Sequence, residues 1–162
     1  MSDDHVLGPE LLPTPFSAAE IRTGCPVGRT VVVRVDEADG VRHRLSRFAA
    51  VTAEGATYER ADCDADGTVL GDVTSMPLTW LDLQRHAAFP AAVTARDEAT
   101  LEYPLGVADC WRYVVRDEAE VTTFWFAKNR AGMPVKVTSQ RGDAVLSTTV
   151  MVSDRVVALP PD

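Results

Sequence analysis

Apolar and polar residues alternate with a period of two over most of this chain, the pattern of half-buried β-strands. Residues 29–36, RTVVVRVD, place Val31, Val33 and Val35 on one face. Turns containing acids and glycine at 37–40, 54–55 and 64–67 then separate strands expected over 41–53, 56–63 and 68–75, a meander in which each strand pairs with the one before it. Beyond residue 90 the alternation returns. It predicts a short edge at Thr94, a strand over 99–103, an aromatic hairpin within 107–127, and a last hairpin over 135–140 and 144–152. In the aromatic hairpin Asp109, Trp111, Tyr113 and Val115 alternate with Cys110, Arg112, Val114 and Arg116. Phe124, Trp125 and Phe126 follow one another directly, which puts bulk on both faces of the second strand and implies that its outer face is covered too.

Two segments break the rhythm. At 16–23 Ser17 is a suitable N-cap, Glu20 closes a capping box, and Phe16 with Ile21 forms a hydrophobic staple; Gly24 and Pro26 end this short helix. At 77–88, PLTWLDLQRHAA, Thr79 can cap a helix in which Trp80, Leu83 and Ala87 recur at helical spacing, and Phe89-Pro90 stops it.

About nine strands in one antiparallel sheet must curl or split, because twist accumulates across them. The expected fold is therefore mainly β (a β-rich α+β protein): a strongly curved antiparallel sheet, or incomplete β-barrel, of about nine strands wrapping one central helix, that of residues 77–88. The 162 residues fit one domain. Its expected extent is 16–156, preceded by a loose arm at 1–15, in which His5 is given no role, and followed by a frayed tail at 157–162.

A net charge of -8 argues against a nucleic-acid partner, since phosphate binding needs an excess of Lys and Arg. The densest basic stretch, Arg42, His43, Arg44 and Arg47, reads as a solvated strand face. No apolar run approaches the length of a membrane-spanning helix. Cys25, Cys63 and Cys110 form no Cys-x-x-Cys pair and, with no secretion signal in residues 1–20, read as reduced thiols of a cytoplasmic protein; a leader removed from upstream would place it outside the cytoplasm.

Candidate chemistry is sparse. Asp62, Asp64, Asp66 and Gly67 match the start of an EF-hand calcium loop, but Val73 stands where the bidentate Glu belongs and the flanks read as strands, so a hairpin turn is the expected reading. No histidine or cysteine pair has metal-ligand spacing, and no nucleophile elbow or phosphate loop occurs, so no metal, cofactor or catalytic residue is assigned and an enzyme ranks last. What remains is an apolar set. Trp80, Leu83, Tyr103, Trp111, Tyr113, Phe124 and Phe126 are the candidates for lining a cavity between helix and sheet. Arg112 and Arg116, opposite Trp111 on their strand, are expected to face water, with the other prospect an anionic head group.

Residues 105–113 (LGVADCWRY), 124–127 (FWFA) and 132–137 (GMPVKV) together resemble the closing strands of bacterial lipoprotein-carrier-like half-barrels and their uncharacterised relatives. The resemblance spans about residues 100–152 and implies an incomplete antiparallel barrel around a helix, able to hold acyl chains. Those carriers work outside the cytoplasm, and no ligand-contacting position transfers. The leading expectation is a module that binds an apolar or amphipathic small molecule in a half-barrel cavity. The alternative is a protein-interaction or homodimeric module with no small-molecule ligand. The helix-on-sheet arrangement also predicts that Trp111 and the Trp80 side of the helix are buried against one another. Trp80→Ala is then expected to lose about 3–5 kcal/mol in chemical denaturation, as for a core aromatic. A loss under about 1 kcal/mol, as at ordinary surface sites, would contradict a helix packed on the sheet.

Overall fold

The computed structural model describes residues 3–158; residues 159–162 of the expected frayed tail lie outside the described residues, as do 1 and 2. The alternating stretches form nine strands: β1 (Arg29–Glu37), β2 (Gly40–Val51), β3 (Gly55–Cys63), β4 (Thr74–Thr79), β5 (Thr94–Tyr103), β6 (Gly106–Asp117), β7 (Glu120–Ala127), β8 (Lys136–Arg141) and β9 (Ala144–Val156). All lie in one sheet in the order β4-β3-β2-β1-β9-β8-β7-β6-β5. Two meanders, β1 to β4 and β5 to β9, are thus joined where the first strand pairs antiparallel with the last. Register shifts between Val32 and Val33, between Phe48 and Ala50, and between Ser139 and Gln140 bend and twist the strands that carry them.

The sheet is strongly curved, as expected. Phe48 of β2 and Ala56 of β3 share one buried cluster with Tyr113 of β6 and Phe126 of β7, although β1, β9 and β8 stand between β2 and β7. What fills the space is a pair of short helices, α1 (Ala18–Gly24) and α2 (Trp80–Arg85), where one longer helix is expected from the sequence. The Ser17–Glu20 capping box forms as expected, and Phe16 and Ile21 both enter the buried cluster. The strand expected at 68–75 lies at 74–79 as β4, the edge strand, and α2 ends at Arg85, three residues sooner than expected. Pro77 has no N–H to give a ladder and is tolerated at a sheet edge. Thr79 then caps α2 in a second capping box with Asp82. The short edge at Thr94 and the strand at 99–103 are one continuous strand, β5.

A buried amide ties the helices together. Gln84 of α2 accepts a hydrogen bond from the Ala18 N–H at the start of α1 and donates to the Asp4 carbonyl and the Thr14 hydroxyl. Segment 3–16 follows the same surface: the Leu12 N–H donates to the Phe89 carbonyl, and the Tyr113 hydroxyl donates to the Pro13 carbonyl. His5 has a role here, with Nε2 2.6 Å from the Glu20 carboxylate and Nδ1 3.0 Å from that of Asp3.

Strands β6 and β7 are covered on both faces. Tyr113 and Phe126 belong to the helix-side cluster, whereas Cys110 and Ala127, of opposite parity, belong to a second cluster with Val31, Val33, Val35, Leu101, Ala108, Val135 and Met151. A third cluster, Val32, Leu45 and Cys63, is covered by the 64–70 turn through Val69.

At the C-terminal end of α1 a buried ion pair joins four parts of the chain. Arg29 (β1) grips Asp154 (β9) with both ends of its guanidinium, Nε to Oδ1 at 3.0 Å and Nη2 to Oδ2 at 2.9 Å. Arg29 Nη1 also donates to the carbonyls of Gly24 and Ala131 and to the Cys25 sulfur. Arg130 completes the set on Asp154 Oδ2 at 2.6 Å. The side chains of Arg29 and Asp154 are only 5% and 8% exposed, so each guanidinium N–H must find its acceptor inside the protein.

Burial pushes the Asp154 carboxyl up, but the hydrogen bonds from Arg29 and Arg130 outweigh it and hold it below its ordinary 3.8. Such a carboxylate contributes stability that is complete above its unfolded value and is lost as pH falls from there through the folded one. Asp154→Asn, which strands two charged arginines, is expected to cost about 3–5 kcal/mol in urea denaturation at neutral pH. It is also expected to flatten the loss of stability that the parent protein shows below about pH 4. A cost under about 1 kcal/mol would mean that the pair is not effectively buried. His5 has the opposite sign. Burial lowers its imidazole, the Glu20 and Asp3 carboxylates more than offset this, and the net value is raised above 6.5. Its contribution is complete below pH 6.5 and is lost as pH rises through the folded value. Amide exchange in residues 3–8, corrected for intrinsic rate, is expected to accelerate above that pH, and His5→Gln to abolish the transition. An unchanged transition in His5→Gln would show that His5 is not its source.

Candidate functional site

The curvature of the sheet and the small size of the two helices leave space that the core does not fill. The result is a cavity of about 320 Å³ beneath the helix pair. One wall is the helices: Ile21 from α1, and Leu83, His86 and Ala87 from α2 and its C-terminal end. The opposite wall is the first meander, with Phe48 of β2, Tyr58 and Arg60 of β3, and Met76 and Leu78 of β4. Phe124 and Phe126 of β7 and the loop Gly132-Met133-Pro134 close the far side. Methionine and leucine give walls that adapt in shape, while the edge-to-face Phe48–Tyr58 pair, 5.4 Å between centroids, is a stiffer part.

The 132–134 loop is fixed where it meets the buried ion pair. Gly132 adopts φ +113°, and a Cβ there would lie 3.2 Å from Arg29 Nη1, so glycine suits the position twice over. Arg29 holds the neighbouring Ala131 carbonyl. This side of the cavity is therefore anchored to β1 and β9.

Of the seven residues singled out from the sequence, Leu83, Phe124 and Phe126 line the cavity. Trp80 is buried beside it, stacked on Phe48 at 6.3 Å and donating its indole N–H to the Thr52 carbonyl. Tyr113 is fully buried under Phe89, with its hydroxyl bound to Pro13. Trp111 is half-buried, packed at the margin of the helix-side cluster that holds Trp80, and lies beneath the Arg96 guanidinium and the Lys128 ammonium, 3.9 and 4.3 Å from its ring centre. Tyr103 packs against the second cluster, away from the cavity. Arg112 pairs with Asp97 on the surface.

Sequence reasoning missed the wall contributed by the first meander. The register shows why Phe48, Tyr58 and Met76 belong together: Phe48 stands opposite Tyr58 and Tyr58 opposite Met76, which puts the three on one face. An alternation count over 41–53 and 56–63 contains that face but does not say which side the helices cover.

Elsewhere the 62–67 acids form a turn. The Asp64 carboxylate accepts the N–H groups of Asp66 and Thr68, and Gly67 takes φ +85°. Among the described residues no three His, Cys, Asp or Glu side chains gather at metal-binding range. The three cysteines are buried free thiols, each held above its ordinary value by burial. Among the described residues no helix is long and apolar enough to cross a membrane.

No protein-family model and no curated protein matches the sequence. Solved structures do share its shape. A chain of the Pseudomonas aeruginosa MucA/MucB complex aligns over 83% of this chain and 53% of its own length, at 10% identity and a TM-score of 0.57; the present chain thus spans about half of it. A Bacteroides fragilis protein described as exported, with a YmcC-like fold, aligns over 81% of this chain and 97% of its own, at 12% identity and a TM-score of 0.49. A Vibrio parahaemolyticus domain described as outer-membrane lipoprotein-sorting aligns over 86% and 90%, at 8% identity and a TM-score of 0.30. At these identities the likeness concerns the fold alone, and the MucA/MucB chain carries it.

Proposed function

We propose that this protein binds an apolar or amphipathic small molecule in the cavity between its helix pair and its sheet. The observation behind this reading is the cavity: about 320 Å³, walled by Phe, Leu, Met and Ile side chains, with Tyr58, Arg60 and His86 as its polar side chains. That volume is at the small end of the range for ligand pockets, about 300–1,000 Å³, and the lining follows their usual composition of an apolar wall with few polar groups. Pairing through a sheet edge is less well supported. The β4 edge carries Pro77, and the β5 edge carries Arg96, Asp97, Glu98 and Glu102, the kinds of residue that blunt edge-to-edge association.

Native mass spectrometry followed by denaturing extraction looks for a molecule that co-purifies, and a cavity-filling variant tests the location. The neutral probe N-phenyl-1-naphthylamine is expected to bind the parent protein saturably. Met76→Trp, which fills the space, is expected to weaken it by about tenfold or more, a change of about 1.4 kcal/mol. Leu78→Phe, a milder filling, guards against overpacking, which costs about 1–3 kcal/mol in a tight core. Unchanged probe affinity in both folded variants would remove the cavity as the site.

A further inference from the structure

The helix-side face of the first meander changes character from one row of residues to the next. The row Phe48, Tyr58 and Met76 is apolar and lines the cavity. The next row along the same face is Ser46, Arg60 and Thr74, with Arg60 still on the cavity wall. Beyond it stands Arg44, opposite Asp62. Because side chains two apart on a strand share a face, Arg44 and Arg60 are diagonal neighbours at the polar end of an apolar slot.

These two arginines are free for a ligand. Among the described residues neither Arg44 nor Arg60 is in an ion pair, although Asp62 is across from Arg44 in register, and every other acid–base contact is made elsewhere. The Arg44 Nε–H is buried with no hydrogen-bond partner. A buried donor of this kind costs free energy until something accepts from it. Burial, and after it the Arg60 charge, hold the Arg44 guanidinium below its ordinary value, and an anion placed between the two would offset both by favouring the charged form. In a chain of net charge -8, two adjacent arginines outside any ion pair at the end of a cavity run against the average of the surface.

We infer that Arg60 and Arg44 form a head-group subsite, and that the ligand is a single-chain amphiphile whose apolar part lies against Phe48, Met76 and Leu83 and whose end is anionic, a carboxylate or a phosphate monoester. This deepens the cavity-binding reading above and rests on it. Arginine's planar fork suits either group, which it can grip with two parallel hydrogen bonds.

Isothermal titration with dodecanoate and dodecyl phosphate, each below its micelle concentration, and with dodecanol below its solubility limit tests the inference. One of the two anions is expected to bind tighter than dodecanol by about tenfold or more, the scale of one hydrogen bond to a charged group. Which anion leads tells a carboxylate from a phosphate source. The preference is expected to shrink as salt is raised. In Arg44→Gln/Arg60→Gln it is expected to vanish, the anions then binding no tighter than dodecanol, with thermal unfolding confirming that the variant is folded. Dodecanol binding as tightly as both anions in the parent protein would overturn the head-group subsite and leave the cavity reading standing. So would a folded double variant that keeps the preference. Should that variant fail to fold, the parent comparison alone decides. Failure of all three compounds to bind would overturn both readings.

Discussion

The buried Arg29–Asp154 pair is the contact on which the rest of the architecture rests. It lies where β1 meets β9, the one seam joining the two meanders, and it reaches from there to the end of α1 and to the 130–132 loop. Two ions taken out of water are costly unless geometry and further hydrogen bonds compensate. Here Arg29 meets both carboxylate oxygens, two backbone carbonyls and a sulfur, and Arg130 meets the same carboxylate from the other side. Apolar packing alone would tolerate small slips between the seam, α1 and the loop. A bidentate pair with fixed directions does not, so it sets their relative positions.

That positioning explains why a cavity exists. The loop held by Arg29 also supplies Met133 and Pro134 to the far wall, and α1, whose end it holds, supplies Ile21. The near wall is set separately, by the ladder of β2, β3 and β4 and by the Gln84 amide that fixes α2 against α1. Walls held by a strand ladder, a buried amide and an ion pair cannot simply collapse onto each other. A space between them persists that a looser core would close.

Much of this fold is legible from the chain because the governing signals are local. Period-two alternation marks Val31, Val33 and Val35, and Ser17 with Glu20 marks the start of α1, since both depend on residues a few positions apart. The triple aromatic Phe124-Trp125-Phe126 correctly implied a strand covered on both faces. The errors arise where tertiary pairing overrides local preference. Residues 68–75 alternate like a strand, but the pairing with β3 falls on 74–79, which form the edge strand. Tyr103 and Trp111 look like cavity residues by type, yet Tyr103 belongs to another cluster and Trp111 lies under two cations. The helix-side wall of Phe48, Tyr58 and Met76, and the unpaired state of Arg44 and Arg60, depend on cross-strand register and on which face the helices cover. Neither quantity is written in any single stretch of sequence.

The same constraint bears on how binding and stability relate. An apolar space of this size forfeits the dispersion contacts that neighbouring atoms would otherwise make, and Arg44 adds an unsatisfied buried donor beside it. The first cost is shared by every element that lines the space, and the second falls on the wall built by β2, β3 and β4, which includes an edge strand only six residues long. The seam at β1 and β9, by contrast, carries the bidentate ion pair and the fully buried Met151. An occupant of the cavity that also accepted from Arg44 would reverse both deficits at once, since a ligand that binds only the folded state adds its binding free energy to stability.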